Sequence, residues 1–132
     1  MQFIQIKSKI VKVLPKAVQR KLPREIGVFA VPPRVSRELN RRYQKKDQPT
    51  NVLSFRYGAD YGEILVCPTV VQREAKVQGH TYEYQVTWMI LHGTLHLAGV
   101  HHEGSPRVAA LSERIERSAL ERMARRLKNT AA

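Results

Sequence analysis

Three histidines in the second half of the chain are spaced so that they can bind one metal ion. They lie in the segment His92-x-x-x-His96-x-x-Gly99-x-x-His102. Residues four apart lie one turn apart on the same side of an α-helix, so His92 and His96 can both reach one ion. A glycine just past a helix takes the left-handed conformation at little steric cost and reverses the chain, which brings His102 to the same point. The spacing therefore predicts a metal site.

Three imidazoles without a fourth protein ligand are typical of catalytic zinc, because the open position is left for water. A bound zinc ion lowers the pKa of that water or acts as a Lewis acid that stabilises developing negative charge. Ligation requires neutral imidazoles, so we expect activity to fall when the pH is low enough to protonate them. One alternative interpretation is that these histidines are solvated or hydrogen-bonded without a metal. Within the metal interpretation, His101 is either a solvated loop residue or the third ligand in place of His102.

The residue after the first histidine limits the chemistry. A class of zinc proteases with the same histidine spacing has a glutamate there, which acts as the general base. This chain has Gly93, which carries no proton acceptor, so peptide hydrolysis by that route lacks its base. Glu103, which follows the third histidine, and Glu63 are candidate bases, although a solvated or paired carboxylate is the alternative interpretation of each. In a third possibility, the substrate itself supplies the nucleophile.

The length and composition of the chain predict one domain. The 132 residues are 42% hydrophobic, which suits a single core over residues 1–132. No apolar run is long enough to cross a bilayer, and residues 1–7 lack the pattern of a secretion signal, so we expect a cytoplasmic protein. Cys67 is the only cysteine and has apolar neighbours, so we expect a buried thiol and no internal disulfide.

The charge balance favours a polyanionic partner. Lys and Arg number 23 against 11 Asp and Glu, which gives a formal net charge of +12. Basic residues occur throughout the chain, so the folded surface must carry the excess. RNA, DNA or an acidic membrane would each be attracted by such a surface. The alternative is that the charge only keeps the protein soluble.

The sequence pattern predicts an α+β domain with a small mixed sheet of about four strands packed with four or five helices. Runs of β-branched and aromatic residues bounded by turn residues mark the strands. The predicted strands are residues 1–6, as an edge strand, 26–31, 50–57 and 63–67, the last two forming a hairpin through residues 58–62.

Helices are predicted from apolar residues with a spacing of three and four and from their capping residues. The first is expected to begin near Leu14 with Pro15 in its first turn. The others are residues 36–45, residues 68–78 ended by Gly79, the histidine helix capped by Thr81, and a C-terminal helix whose apolar residues are Val108, Leu111, Ile115, Ala119, Met123 and Leu127.

Four segments resemble the YbeY family of bacterial rRNA maturation factors. They are Leu39-Asn40-Arg41-Arg42-Tyr43, Lys46-Asp47-Gln48-Pro49-Thr50-Asn51-Val52-Leu53-Ser54-Phe55, Gly62-Glu63-Ile64 and the histidine segment. The resemblance extends from about Leu39 to Met123. It implies a YbeY-like fold and a single-strand-specific, metal-dependent endoribonuclease that acts in 16S rRNA 3′ end processing and ribosome quality control. The implied partners are single-stranded RNA, rRNA and the ribosome or its small-subunit proteins, with no membrane and no peptide substrate.

The resemblance also implies where the metal and the RNA bind, and the candidate residues around that place follow from their chemistry. His92, His96 and His102 take the positions of the Zn²⁺ ligands, one ion per chain, and the cleft between the histidine helix and residues 50–55 takes the RNA. The candidate catalytic residues are the three histidines and Glu103. The candidate RNA-binding residues are Arg41, Arg42, Lys45, Lys46, Asn51, Ser54 and Arg56. Basic residues in this set would hold phosphates, so we expect binding to weaken steeply with salt.

Two positions depart from the family pattern. Gln44 stands where the family usually has arginine, so the charge for a phosphate would come from Arg41, Arg42 or Lys45 on the same helix. His101 stands where the family commonly has aspartate, so either a carboxylate that orients a ligand is missing or His101 competes for the metal. Two other functions use the same residues: a non-catalytic RNA-binding ribosome-assembly factor with a structural metal, and a zinc peptidase.

Overall fold

The computed structural model describes residues 2–100 and 104–131, with side chains as far as residue 125. The predictions for His101, His102 and Glu103 therefore lie outside the described residues. In chain order the described elements are α1 (Phe3–Val13), α2 (Lys16–Gln19), β1 (Glu25–Ala30), α3 (Pro33–Gln44), β2 (Val52–Arg56), β3 (Tyr61–Val66), α4 (Pro68–Gln78), α5 (Tyr82–Leu97) and α6 (Pro106–Ala131).

The sheet is mixed, as predicted, and has the order β1-β3-β2. Strand β1 runs parallel to β3, with Val28 opposite Ile64, and β2 runs antiparallel to β3, with Ser54 opposite Ile64. The predicted hairpin is confirmed, and its ends are closed by the hydrogen bond from the Tyr57 amide to the Tyr61 carbonyl at 2.9 Å. The prediction of about four strands is wrong, because the described residues form three.

The missing strand is the one predicted at residues 1–6. Of these, residues 3–6 belong to helix α1 instead. Ile6, Ile10 and Val13 are buried on one face of this helix, and α1 packs against α5, α6 and β1. The short apolar run at residues 3–6 fits either a strand or a helix by pattern alone. The helix is formed because its apolar face continues to Val13 and covers the core.

The prediction of a helix that begins near Leu14 is also wrong. Helix α1 ends at Val13, Leu14 has an extended backbone, and Pro15 precedes the separate short helix α2. A residue before proline is driven out of the helical conformation because the proline ring clashes with its backbone. Two helices therefore meet at Pro15, which together with the other elements gives six helices in the described part of the chain, more than the four or five predicted.

Helix α5 lies at the centre of the fold, and most of the other helices and strands pack around it. It packs against α1, α4, α6, β2 and β3. The core cluster takes Ile64 and Val66 from the sheet and Ile90 and Leu91 from α5, together with apolar residues of α1, α4 and α6. Because α5 is held on all these sides, the orientation of its remaining exposed face is fixed by the core. No helix in the described residues is both long and apolar enough to span a membrane.

Two local predictions were only partly right. The pattern of α3 predicts a buried apolar face of Val35, Leu39 and Tyr43, but the most buried residues are the polar Ser36 and Asn40. Their side chains bind the loop that leads to β2: the Ser36 hydroxyl donates to the Thr50 carbonyl at 2.7 Å, and the Asn40 amide donates to the Gln48 carbonyl at 2.8 Å. These bonds hold the loop on α3, so the helix serves to position residues 48–51.

In α6 the predicted face is confirmed at Ala119 and Met123, which are buried, and at Ile115, which packs against the core. The rest of the buried face is turned from the predicted one. Val108 and Leu111 are about half exposed, whereas the residues that pack inward are Ser112, Glu116, Ala119 and Met123. These four have the spacing of one helical face, but two of them are polar. The buried polar residues are explained by what Glu116 contacts on α5, described below.

Candidate active site

Helix α5 carries two of the three predicted metal ligands, and both of its ends are fixed by the residues that the sequence indicated. At the start, the Thr81 hydroxyl accepts a hydrogen bond from the Tyr84 amide at 3.1 Å. At the end, Gly99 has φ +78°, and the Val100 amide donates back to the Leu95 carbonyl at 2.9 Å. This is the glycine-terminated reversal expected after the last turn of a helix.

His92 and His96 lie together on the exposed side of α5. Their ring centroids are 4.4 Å apart, with 49° between the ring planes. The His92 side chain is 33% exposed, and His96 is exposed. The two rings are therefore within reach of one ion. Among the residues that the structure describes, no third histidine, cysteine, aspartate or glutamate completes a metal-binding group with them, and the predicted third ligand, His102, lies outside that part of the chain.

The two histidines form one wall of a polar cleft of about 300 Å³. The opposite wall is the end of α3, the loop after it and strand β2. The lining residues are Asn40, Gln44, Lys46, Gln48, Thr50, Asn51, Val52, Leu53, Ser54, Phe55, His92 and His96. The cleft thus brings together the predicted residues Lys46, Asn51 and Ser54 with the histidine pair. The uncharged Gln44 also lines this cleft.

Three of the other predicted RNA-binding residues are placed outside the cleft lining. Arg41 donates to Glu38 at 2.7 Å, and Arg42 lies 3.6 Å from the same carboxylate. Lys45 follows the last residue of α3 as its C-cap and has φ +58°. Its side chain therefore does not continue the pattern of the side chains in the preceding turn. On these exposed positions the three residues can attract a polyanion over a distance, but they do not contact the cleft that holds His92 and His96.

Arg56 binds backbone instead of facing the cleft. Its guanidinium donates to the carbonyl oxygens of Lys21 and Leu97, both at 2.6 Å, and to the carbonyl of Gly58 at 2.9 Å. These bonds join the end of β2 to the loop before β1 and to the last turn of α5. A cation is favourable at the carboxyl end of a helix, where the carbonyls are unpaired. The geometry favours a structural role for Arg56.

Replacing Arg56 with alanine should therefore change the stability of the fold, whereas replacing Lys46 should change RNA binding. We expect Arg56→Ala to destabilise the fold by about 1–2 kcal/mol, because carbonyls lose charged donors, and to leave the salt dependence of RNA binding unchanged. We expect Lys46→Ala to leave the melting temperature unchanged and to lower the slope of log affinity against log salt by about 0.7, the value for one phosphate contact on a single strand. Thermal melts and fluorescence anisotropy with a single-stranded RNA measure both. A reduced salt slope for Arg56→Ala at unchanged stability would reverse the assignment.

Gly93 lies between the two histidines on the side of α5 that faces the sheet. A β-carbon built there would come within 2.9 Å of Cγ2 of Ile64 and 3.0 Å of Oγ of Ser54. The Ser54 hydroxyl donates to the Gly93 carbonyl at 3.1 Å, which ties β2 to α5. Glycine at this position is thus needed for close packing of the helix on the sheet. A carboxylate here would face the core and not the cleft.

The candidate base Glu63 is also directed away from the histidines. It alternates along β3 with Ile64, which is buried against α5, so Glu63 lies on the opposite face of the sheet. There it interacts with Tyr61, whose pKa is raised first by partial burial and then by its hydrogen bond to Glu63. In the described part of the chain, therefore, no carboxylate lines the cleft.

One residue of the site was missed by the sequence analysis. Glu116 of α6 is buried, and its Oε1 atom lies 3.1 Å from Nδ1 of His92 and 3.2 Å from Nε1 of Trp88, which donates to it. The indication in the sequence was a charged residue at the same helical spacing as Ser112, Ala119 and Met123. Its partners on α5 lie 24 and 28 residues away, so the pairing itself could not be predicted from local pattern.

Comparisons with known proteins agree with this architecture. A family model described as "Endoribonuclease YbeY" matches residues 1–124. The chain is 38% identical over 102 residues to Endoribonuclease YbeY of Thermotoga neapolitana, covering 73% of this chain and 68% of that protein. It is also 38% identical over 85 residues to Endoribonuclease YbeY of Aquifex aeolicus, covering 60% of this chain and 57% of that protein.

A solved structure gives the same result for the fold. The solution structure of a Thermotoga maritima protein matches with a TM-score of 0.57 and 27% identity, covering 93% of this chain and 84% of that one. The chain spans 57% of the length of the Aquifex relative and 53% of that of the Thermotoga petrophila relative. Since the family model covers nearly all of the described residues, the chain belongs to the YbeY family.

Proposed function

We propose that this chain, as one domain over residues 1–132, is a metal-dependent endoribonuclease that cleaves single-stranded RNA. The observation that carries the proposal is the pair of histidines one helical turn apart in a polar cleft, in a chain of the YbeY family. The names of its relatives support RNA as the substrate class. The net charge of +12 provides the attraction for a polyanion.

The residues of the cleft fit a zinc ion. Imidazole nitrogens are preferred zinc ligands, and the rings of His92 and His96 are close enough to share one ion. We assign the third position to His102. When bound, Zn²⁺ supplies Lewis-acid stabilisation of charge on a phosphate and can activate water.

The other lining residues bind and orient the RNA. Lys46 provides a positive charge in the lining of the cleft, and Gln48 and Gln44 provide amide donors for phosphate or base edges. Asn51 also lines the cleft, where its amide donates to Glu74 at 2.9 Å. Ser54 keeps the wall of the cleft at a fixed distance from α5 through its bond to Gly93. Phe55 lines the cleft and contacts the exposed ring of Tyr43 edge to face at 5.0 Å. An unpaired base can stack on an exposed aromatic ring such as that of Tyr43, which favours binding of single-stranded RNA over duplex RNA.

The nucleophile is either a water molecule activated by a protein carboxylate or a hydroxyl group of the RNA itself. Because no carboxylate lines the described cleft, we assign the protein base of the first route to Glu103. The alternative is attack by the 2′-hydroxyl next to the scissile phosphate, which needs less help from the protein. A substrate with a single 2′-deoxy nucleotide at the cleavage site distinguishes the two routes, because only the second route is lost.

Metal removal tests the proposal directly. We expect the purified, zinc-loaded protein to cleave a labelled single-stranded RNA and to leave the matching duplex intact. We expect a chelator to reduce cleavage at least about 100-fold, equal to roughly 2.7 kcal/mol of transition-state stabilisation, and zinc to restore it. Gel analysis of the products measures both. A protein that holds one metal per chain yet leaves RNA uncut would contradict nuclease activity and favour a ribosome-assembly factor with a structural metal.

The biological setting is part of the same proposal. We assign the activity to the cytoplasm, in 16S rRNA 3′ end maturation and ribosome quality control. The partners would be the rRNA and the small ribosomal subunit. The support for this setting is membership of the family and the basic surface.

A further inference from the structure

A buried carboxylate stands behind one of the candidate metal ligands. Glu116 projects from α6 toward α5 and is 8% exposed. Its Oε1 atom is 3.1 Å from Nδ1 of His92 and accepts the indole hydrogen of Trp88 at 3.2 Å. Asn51 and Met89 line the small cavity that these three residues share. The two helices pack against each other, so the carboxylate is held by the core and not by a flexible loop.

The contact with Glu116 determines which nitrogen of His92 can bind a metal. A carboxylate in its ionised form only accepts hydrogen bonds, so the 3.1 Å contact with Glu116 assigns the proton of His92 to Nδ1 when Glu116 is ionised. In neutral imidazole the other nitrogen, Nε2, then holds the lone pair. A histidine whose second nitrogen donates to a carboxylate is a stronger ligand, and its ring is held in one orientation.

A purely structural function explains the burial of Glu116 less well. Glu116 shares its helical face with the buried apolar residues Ala119 and Met123. Taking a carboxylate out of water costs several kcal/mol per ion unless its partners compensate. An apolar residue at this position would pack between the helices without that cost. Polar interactions are therefore what the carboxylate contributes, and the hydrogen bonds to His92 and Trp88 are among them.

We propose that Glu116 is a positioning residue that fixes the tautomer and orientation of His92 for metal binding. This inference rests on the proposed function only where it takes His92 as a ligand. It assigns a residue of the C-terminal helix to the site, 24 positions from its partner in the sequence. It also supplies a carboxylate next to the histidine helix in a chain where His101 replaces the family's usual aspartate.

The test compares metal affinity in matched variants. Glu116→Gln keeps the size and one oxygen but removes the charge, and we expect a 10–100-fold loss of zinc affinity in competition with a chromophoric chelator. Glu113→Gln is the control, because Glu113 lies on the same helix but pairs with Arg117 at the surface. We expect its affinity to equal that of the parent. Melting curves of the metal-free proteins show whether each variant is folded.

A double-mutant cycle separates positioning from general destabilisation. If Glu116 acts through His92, the Glu116→Gln change should have no further effect on zinc affinity in a His92→Ala background. The only tryptophan of the chain, Trp88, donates to Glu116, so its fluorescence reports locally on metal binding in the parent and in each variant. If Glu116→Gln does not fold, Glu116→Asp retains the charge but moves it back by one methylene, and an intermediate loss of affinity is expected.

Two results would overturn the inference. One is an unchanged zinc affinity in folded Glu116→Gln. The other is an equal loss of affinity with and without His92. Both can be observed while the parent still cleaves RNA, in which case the proposed function stands. Conversely, a parent that binds zinc with the expected Glu116 dependence but leaves RNA uncut would contradict the nuclease and leave the positioning role in place.

Discussion

Replacing His96 with alanine should reduce RNA cleavage at least about 100-fold, a loss of roughly 2.7 kcal/mol in transition-state stabilisation, while the protein stays folded. His96 is exposed at the wall of the cleft, so the substitution removes little packing, and alanine is a good helix former. Its ring is 4.4 Å from that of His92, so its loss removes one ligand of the shared ion. Zinc content by mass spectrometry should fall in parallel with single-stranded RNA cleavage.

His80→Ala is the matched control for this prediction. His80 lies before α5, where Nδ1 is 2.7 Å from Oε1 of Gln85, and it is absent from the described cleft lining. We expect this variant to retain zinc and cleavage. The opposite pattern, in which His96→Ala unfolds the protein and the parent has no nuclease activity, would mean that the metal only stabilises the fold. Full cleavage by a zinc-free, folded His96→Ala protein would exclude His96 as a ligand.

Placing a glutamate at position 93 should unfold the protein instead of creating a protease base. A β-carbon at this position already comes within 2.9 Å of Ile64 and 3.0 Å of Ser54. Ile64 is fully buried in the central strand, so its methyl group has little room to move. Overpacking costs about 1–3 kcal/mol, and an unpaired buried carboxylate adds several more. We expect Gly93→Glu to yield insoluble or unfolded protein by circular dichroism.

Two variants test the reason for this loss. Gly93→Ala introduces the close contact without the charge. We expect the overpacking to lower the melting temperature, and we expect the fold to be retained because alanine gains about 1 kcal/mol of helix propensity over glycine. Tyr82→Glu introduces the same charge on the same helix at an exposed first-turn position, where a negative charge is favourable. We expect it to be stable. A folded Gly93→Glu protein with unchanged melting temperature would show that α5 can move away from the sheet.

Several elements could be predicted from the sequence because their causes are local. Helix α4 begins at Pro68 and ends before Gly79, as expected from a fixed φ at one end and a left-handed residue at the other. The cap of α5 at Thr81 and the reversal at Gly99 were found in the same way. The hairpin followed from two strand-like runs around a short glycine-bounded turn.

The sequence-based prediction of elements failed where the same apolar pattern fits two different structures. Residues 3–6 fit the edge of a sheet or the start of a helix, and only the packing of Ile6 and Ile10 against α5 and α6 decided for α1. In α6, the apolar residues Val108 and Leu111 are on the surface, while Glu116 is inside. Hydrophobicity alone ranks these residues in the reverse order, because it contains no information about the hydrogen-bonding partners on α5.

In the candidate site, too, some features could be predicted from the sequence and others depended on the tertiary packing. The sequence by itself determined that His92 and His96 share one side of a helix, because a spacing of four is one turn of any α-helix. Only the tertiary structure decided which side chains meet that pair. It placed Lys46, Asn51 and Ser54 across the cleft, turned Arg56 and Glu63 away from it, and brought Glu116 to His92 from a distant helix. Local spacing fixes directions within one element, whereas distances between elements depend on how their buried faces pack.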